Sequence, residues 1–180
     1  MNEFNFRAPV KEDAKFIYEL AQPFKPYIGT SPLYTYLLVS THFSQSSVVV
    51  EDKETKQIIG FISGYIVPNR DEKTLFLWEI GVREGFHGNG LYVRMVHHLL
   101  NRLNPIWVDA TASPSNDSSV KRLVVISKDI NSPLSTSVLF EKKSFGKTAH
   151  EDEVLYRIGP ITKQIKSKEY SLFIETNDRI

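Results

Sequence analysis

The chain has 180 residues, a formal net charge of +1 and no cysteine. That length suits one domain burying roughly 70% of its unfolded surface, and the missing thiols exclude disulfides, thiolate metal sites and an acyl-cysteine intermediate. Basic and acidic residues are interspersed, with no basic stripe to meet nucleic acid and no polybasic helix to meet a membrane surface.

Phe4 to Ala8 reads as a first strand. Pro9 then precedes an amphipathic helix with Glu12 and Asp13 in its first turn and Ala14, Ile17, Tyr18 and Ala21 on one face. Residues 22–30 carry two prolines and a glycine and read as a loop. Ser31-Pro32 is a helix-start signal, a cap followed by proline at the first helical position. It opens a second helix from Leu33 to Phe43 with no charged residue, which either packs on both sides or lines a pocket. Val48 to Glu51 and Ile58 to Val67 read as a hairpin, and Leu75 to Val82 as a buried strand. Leu91, Met95, Val96, Leu99, Leu100 and Leu103 then recur at helical spacing. A strand from Ile106 to Ala110, a loop at Ser113-Pro-Ser-Asn116, a helix through about Ile130 and late strands near Val138–Phe140 and Val154–Ile158 complete the pattern. The order β-α-α-β-β-β-α-β-α-β-β implies an α/β chain of α+β type, a mixed sheet with helices on both faces, rather than an alternating doubly wound sheet. The N-terminus has no apolar signal core and no run approaches membrane-spanning length, so a cytoplasmic protein is expected.

Between the fourth strand and the long helix sits Arg83-Glu-Gly-Phe-His-Gly-Asn-Gly90. A strand feeding a glycine-rich turn and a helix directs backbone N–H groups at the positive end of a helix dipole, an arrangement suited to phosphates. A nucleotide P-loop fails, because Gly90 is followed by Leu91 and Tyr92 instead of Lys and Ser or Thr. A dinucleotide fingerprint lacks its third glycine, although Asp109 falls where a ribose-binding acid would sit. The third reading is the x-x-Gly-x-Gly pyrophosphate loop of the GNAT acetyltransferases, which Ile80-Gly-Val82 followed by His87-Gly88-Asn89-Gly90 resembles.

His150-Glu-Asp-Glu153 is the densest polar cluster. A zinc helix needs a second histidine four positions on, and position 154 is Val, so no metal site follows. The cluster is either a solvated turn or an imidazole and a carboxylate at a strand entry, gripping a cationic substrate. His97 and His98 lie mid-helix and read as packing or surface residues. Tyr34 and Tyr36 are core, a pocket wall or both, since a buried phenol wants a polar partner. Trp78, from strand position alone, reads as core.

Several segments together resemble the L-2,4-diaminobutyrate acetyltransferases of ectoine biosynthesis, a family within the GNAT superfamily. They are Tyr34-Thr-Tyr-Leu-Leu-Val-Ser-Thr-His-Phe43, Ile59-Gly-Phe-Ile-Ser-Gly-Tyr65, Leu75-Phe-Leu-Trp78, Gly88-Asn-Gly-Leu91, Ser113-Pro-Ser-Asn116 and His150-Glu-Asp-Glu-Val-Leu-Tyr-Arg-Ile-Gly-Pro160. The resemblance spans about Phe6 to Pro160, so residues 1–160 are expected as the acetyltransferase domain and 161–180 as an extension. It implies the GNAT acyl-CoA N-acyltransferase fold, acetyl-CoA as co-substrate without a metal, a small diamine or amino-acid acceptor, and a homodimer. It also implies that Tyr34, Trp78, His150 and Glu153 surround the acceptor, with Tyr36 beside them. Where the family has Asp-x-Asn-Ser before its Tyr-x-Tyr block, this chain has Gly29-Thr-Ser-Pro32, so the acid is replaced by glycine.

Acetyl transfer from a thioester needs a neutral amine, a stabilised oxyanion and a proton for the departing thiolate. On this reading the strand from Trp78 through Ile80 to Val82 supplies backbone N–H groups to the pantetheine arm and the thioester oxygen. Val82, His87, Gly88, Asn89 and Gly90 hold the pyrophosphate, and Asn116 meets the cofactor further along. Glu79 and Glu153 are the candidates to accept the amine proton. Many GNAT proteins use a tyrosine acid after the asparagine, but none lies between Asn116 and Ile130, which leaves the thiolate acid unassigned. Three functions follow in order: N4-acetylation of L-2,4-diaminobutyrate, acetylation of another small amine, and a catalytically weak CoA-binding module.

Overall fold

The computed structural model describes residues 3–24, 31–147 and 150–162. Its strands and α-helices run β1 (Phe4–Arg7), α1 (Ala14–Ala21), α2 (Leu33–Val39), β2 (Val48–Asp52), β3 (Ile58–Ile66), β4 (Thr74–Val82), α3 (Leu91–Leu103), β5 (Trp107–Ala112), α4 (Asp117–Asp129), β6 (Leu134–Phe140) and β7 (Glu153–Ile158). The succession of strands and helices is the one the sequence pattern implies. The seven strands form a mixed sheet in the order β1-β2-β3-β4-β5-β7-β6. β4 and β5 are parallel, whereas β1 with β2, β2 with β3, β5 with β7 and β6 with β7 are antiparallel. The chain divides into two compact units, and β4 contributes to both, with Glu79–Val82 in the first and Thr74–Trp78 in the second.

In the first unit, Ala14, Ile17, Leu20 and Ala21 of α1 form a cluster with Tyr36 of α2 and with Val49, Ile58 and Phe61 of the hairpin. Side chains alternate along a strand, so Val49 turns to this cluster while the equally buried Val48 and Val50 turn the other way. On α3, Leu91, Met95, Val96, Leu99 and Leu100 are buried, as their helical spacing requires, and α3 packs against β2. Cover on both faces explains why every residue from Ile58 to Gly64 is buried. His97 is buried with the apolar face of α3, and His98 stacks on Phe6, so both are packing residues.

Two helix ends differ from the sequence reading. Ahead of α1, Lys11–Asp13 form a short 3-10 turn, and the Asp13 carboxylate is buried, accepting from Arg7 at 2.6 and 2.9 Å and from the Val10 N–H at 2.7 Å. α2 stops at Val39 rather than Phe43. The N–H groups of Thr41, His42 and Phe43 all converge on the Leu38 carbonyl, and the Thr41 hydroxyl takes the Leu37 carbonyl at 2.7 Å. Local hydroxyl bonding of this kind competes with the helix ladder.

In the second unit, Thr74–Leu77 pair in parallel with Trp107–Ala110, and Asp109 lies directly across from Arg157 on β7. The two side chains form a bidentate pair at 2.9 and 2.7 Å, with the Asp109 side chain almost fully buried. The Arg157 guanidinium also lies 5.4 Å from the centre of the Trp107 ring, whose Nε1–H donates to Glu72 at 2.6 Å. Asp109, considered from sequence as a ribose-binding acid, is therefore spent inside the sheet. β6, at the end of the strand order, exposes Val138, Leu139 and Phe140.

Removing the Asp109 charge leaves Arg157 without its partner. Asp109→Asn should lower the unfolding free energy by about 1.5–3 kcal/mol, measured by urea denaturation.

Candidate active site

β4 carries one residue of opposite character on each face. Thr74, Leu75, Leu77, Glu79, Gly81 and Val82 are buried, whereas Phe76 and Ile80 are partly exposed and Trp78 is 45% exposed. Trp78 is thus a surface side chain and not the core residue that strand position alone suggests.

Glu79 points inward at 7% exposure. Its Oε1 accepts a hydrogen bond of 2.9 Å from the Ser31 hydroxyl. Its Oε2 and the Tyr36 hydroxyl are both buried without a hydrogen-bond partner among the described residues. Tyr36 is fully buried, its ring edge-on to Tyr18 at 6.0 Å and to Phe61 at 6.3 Å. Burial pushes the Glu79 pKa up from its ordinary value, opposed by the Ser31 hydrogen bond and the Tyr36 hydroxyl. Tyr36 is pushed up as well, first by burial and then by the Glu79 charge. Two residues earlier along the same helix the outcome is opposite: Tyr34 is 67% exposed.

Ser31 is the residue that sequence reasoning assigned differently. The N-cap of α2 is Pro32, whose carbonyl accepts the Thr35 N–H at 2.9 Å, so Ser31 sits one position too early to cap. Its hydroxyl is free to reach across to β4. The Ser-Pro step was the available signal, since the residue before proline is held extended and out of the helix. Gly29 lies outside the described residues.

After Val82 the chain makes the glycine turn. Gly85, Gly88 and Gly90 have φ of 86°, 85° and 60°, and a Cβ added at any of them would meet nothing within 4 Å. These positions require glycine for torsion and not for space. His87 Nε2 lies 3.1 Å from the Val82 carbonyl, and Asn89 Nδ2 donates to the Phe86 carbonyl at 3.0 Å, so both side chains brace the turn. Gly90 is the N-cap of α3 and brings no side-chain cap. Among the described residues, the N–H groups of Gly88, Asn89 and Gly90 donate to nothing, which leaves them for an anion at the helix N-terminus. An anion at this turn would be met by backbone N–H groups, with the His87 and Asn89 side chains bracing the turn.

The second unit holds the remaining sequence candidates. Asn116 caps α4, its side-chain oxygen accepting from the Ser119 N–H at 3.2 Å. The His150–Glu153 cluster divides in two. Glu151 accepts from the Ser115 N–H at 3.0 Å and Asp152 from the Lys142 N–H at 2.6 Å, so these two acids fasten loops. His150 stacks on Phe145 at 3.9 Å, with Nδ1 2.7 Å from the Glu151 carbonyl oxygen and Nε2 3.6 Å from Glu153 Oε1. Glu153 opens β7, and its Oε2 is buried without a partner among the described residues. No group of three or more His, Asp or Glu among the described residues has metal-binding geometry. No helix among them is long and apolar enough to cross a membrane.

A sequence model of the acetyltransferase (GNAT) family matches residues 14–121. The chain is 37% identical to an L-2,4-diaminobutyric acid acetyltransferase of Oceanobacillus iheyensis, over 90% of this chain and 91% of that one. It is 35% identical to the protein of the same name from Virgibacillus pantothenticus, over 86% and 97%. The solved diaminobutyrate acetyltransferase of Paenibacillus lautus, in complex with L-2,4-diaminobutyric acid and coenzyme A, superposes with a TM-score of 0.81 at 26% identity, covering 92% of this chain and 100% of that one.

The raised pKa of Glu79 has a consequence for stability. A carboxyl whose folded pKa exceeds its unfolded value favours the native state below the unfolded pKa, and that contribution is lost as pH rises through the folded pKa. Above its folded pKa the ionised side chain is a burden. Glu79→Gln should therefore raise the urea midpoint relative to wild type at pH 8, and the gain should disappear at pH 4.

Proposed function

Because this chain belongs to the acetyltransferase (GNAT) family, and within it to the L-2,4-diaminobutyric acid acetyltransferases, we propose that it transfers the acetyl group of acetyl-CoA to L-2,4-diaminobutyrate, giving N4-acetyl-L-2,4-diaminobutyrate. The product is that of the ectoine route to which the sequence resemblance points. The observation that carries the reading is 37% identity over nine-tenths of the chain to a protein of that name. The Paenibacillus lautus complex, which holds both this acceptor and coenzyme A, supports it.

Acetyl-CoA supplies the activated acetyl thioester. The N–H groups of Gly88, Asn89 and Gly90 hold its pyrophosphate, braced by His87 through the Val82 carbonyl. Backbone groups of Ile80 and Val82 line the pantetheine arm, and the Asn116 amide meets the cofactor beyond it. Glu79 accepts the proton that the N4 amine loses as its C–N bond forms and the thioester C–S bond breaks. Its buried, partnerless Oε2 and raised pKa suit a base that must take a proton near neutral pH. The Trp78 backbone N–H faces the developing oxyanion, while the exposed Trp78 and Tyr34 rings and the buried Tyr36 hydroxyl shape the acceptor's surroundings. Glu153 with His150 holds the ammonium that is not acetylated, and the partnerless Glu153 Oε2 supports this role. Residues 1–160 form the acetyltransferase domain and 161–180 an extension. The same reading makes the protein a cytoplasmic homodimer.

The deciding experiment measures thiol release from acetyl-CoA over a panel of small amines. The highest kcat/KM is expected for L-2,4-diaminobutyrate. A clear preference for a different amine would replace the acceptor, and release with none would favour a CoA-binding module.

Glu153→Gln should raise the KM for diaminobutyrate roughly ten- to a hundredfold, the loss of one charge-assisted hydrogen bond of about 1.5–3 kcal/mol. The KM for acetyl-CoA should be little affected. Equal losses for both substrates would mark Glu153 as structural.

A further inference from the structure

Ser31 has no part in the chemistry above, yet its hydroxyl makes the hydrogen bond that fixes the buried carboxylate of β4. Resting on the assignment of Glu79 as proton acceptor, we infer that Ser31 is a positioning residue for acetyl transfer: by holding Oε1 of Glu79 it leaves the unpartnered Oε2 as the oxygen that takes the proton.

The terminal torsion of a glutamate is broad, so an unheld carboxylate turns freely between its two oxygens. One donor on Oε1 removes that freedom and distinguishes the oxygens. Ser31 is well placed to be that donor. It precedes Pro32, so its backbone is restricted to the extended region and its hydroxyl is delivered from a limited set of positions. On the other side, Tyr36 cannot retreat, because its ring is clasped edge-on by Tyr18 and Phe61 within the core. Glu79 is thus anchored through Oε1 by Ser31 and Tyr36 through its ring by Tyr18 and Phe61, while Oε2 and the Tyr36 hydroxyl stay buried without a partner among the described residues.

The electrostatics agree with the geometry. The groups that act on Glu79 are burial, which opposes its ionisation, and then Ser31 and Tyr36, which favour it, in that order. Tyr18 acts on this group only through Tyr36. No lysine, arginine or histidine among the described residues contributes, so the ionised form is sustained by hydroxyl groups and not by a counter-charge. A hydroxyl that sustains the carboxylate also sets the pH at which it is ready to accept a proton.

The test is the pH dependence of kcat, at saturating acetyl-CoA and diaminobutyrate, for wild type, Ser31→Ala, Ser31→Thr and Glu79→Gln. Ser31→Ala should move the acidic limb upward by about one pH unit, a roughly tenfold loss of kcat below the limb that recovers at high pH. Ser31→Thr keeps the hydroxyl and should return the limb to its wild-type position. Glu79→Gln identifies the limb, because it should abolish both the limb and most of the rate. An unmoved limb in Ser31→Ala, beside a Glu79→Gln enzyme that has lost its rate, would overturn the role of Ser31 alone. A uniform loss at every pH that threonine does not restore would do the same, as the mark of a purely structural contribution. A Glu79→Gln enzyme that keeps its limb and its rate would overturn the assignment of Glu79, and the inference with it.

Discussion

Along β4, successive side chains point to opposite faces, so Glu79 is buried because Trp78 is not. A shift of one residue in register would exchange them, placing an indole inside and a carboxylate outside. The parallel pairing of Thr74–Leu77 with β5 fixes that register. The other end of the same strand runs into the glycine turn that opens α3. One strand thus sets the direction of a buried acid, exposes an aromatic surface and delivers the backbone to the start of a helix. No one of these can be altered without the others, which is why so much of the proposed chemistry falls within a span of about a dozen residues.

Within this arrangement, charge is handled in two different ways. Asp109 is buried but compensated, held by both nitrogens of a guanidinium directly across the sheet. Glu79 and Glu153 are each left with one oxygen buried and unmatched. An unmatched buried oxygen is destabilising, and a fold retains it where something other than stability is served. The contrast separates an acid that builds the sheet from the two acids to which the proposed chemistry assigns a proton and a cation.

The sequence made the element order legible because it is written in periodicity. The 3.6-residue spacing of Leu91, Met95, Val96, Leu99 and Leu100 and the apolar run from Ile58 predict α3 and β3 with little interference from context. The glycine turn was legible for the same local reason. Side-chain roles that depend on distant partners were not. Ser31 and Glu79 are joined across a long stretch of chain, and nothing in the spacing of either indicates the other. Asp109 reads as a free acid until Arg157 is brought opposite it by β7. The His-Glu-Asp-Glu run looks uniform in sequence, yet Glu151 and Asp152 are spent on backbone N–H groups while His150 and Glu153 are not. Local pattern therefore placed the backbone, and only the fold decided which polar groups were already satisfied.

The glycine turn also limits how this chain can drift. At Gly90 an added Cβ meets no neighbour, so the obstacle to replacement is torsional alone. Its φ of 60° and ψ of 23° lie in the left-handed region, where asparagine and aspartate are the side chains most readily accommodated. Aspartate would bring a negative charge to the N-terminus of α3, against the anion proposed to bind there. Asparagine carries no such charge. Of the two, asparagine is therefore the replacement that would suit the torsion and spare the anion proposed at this end of the helix.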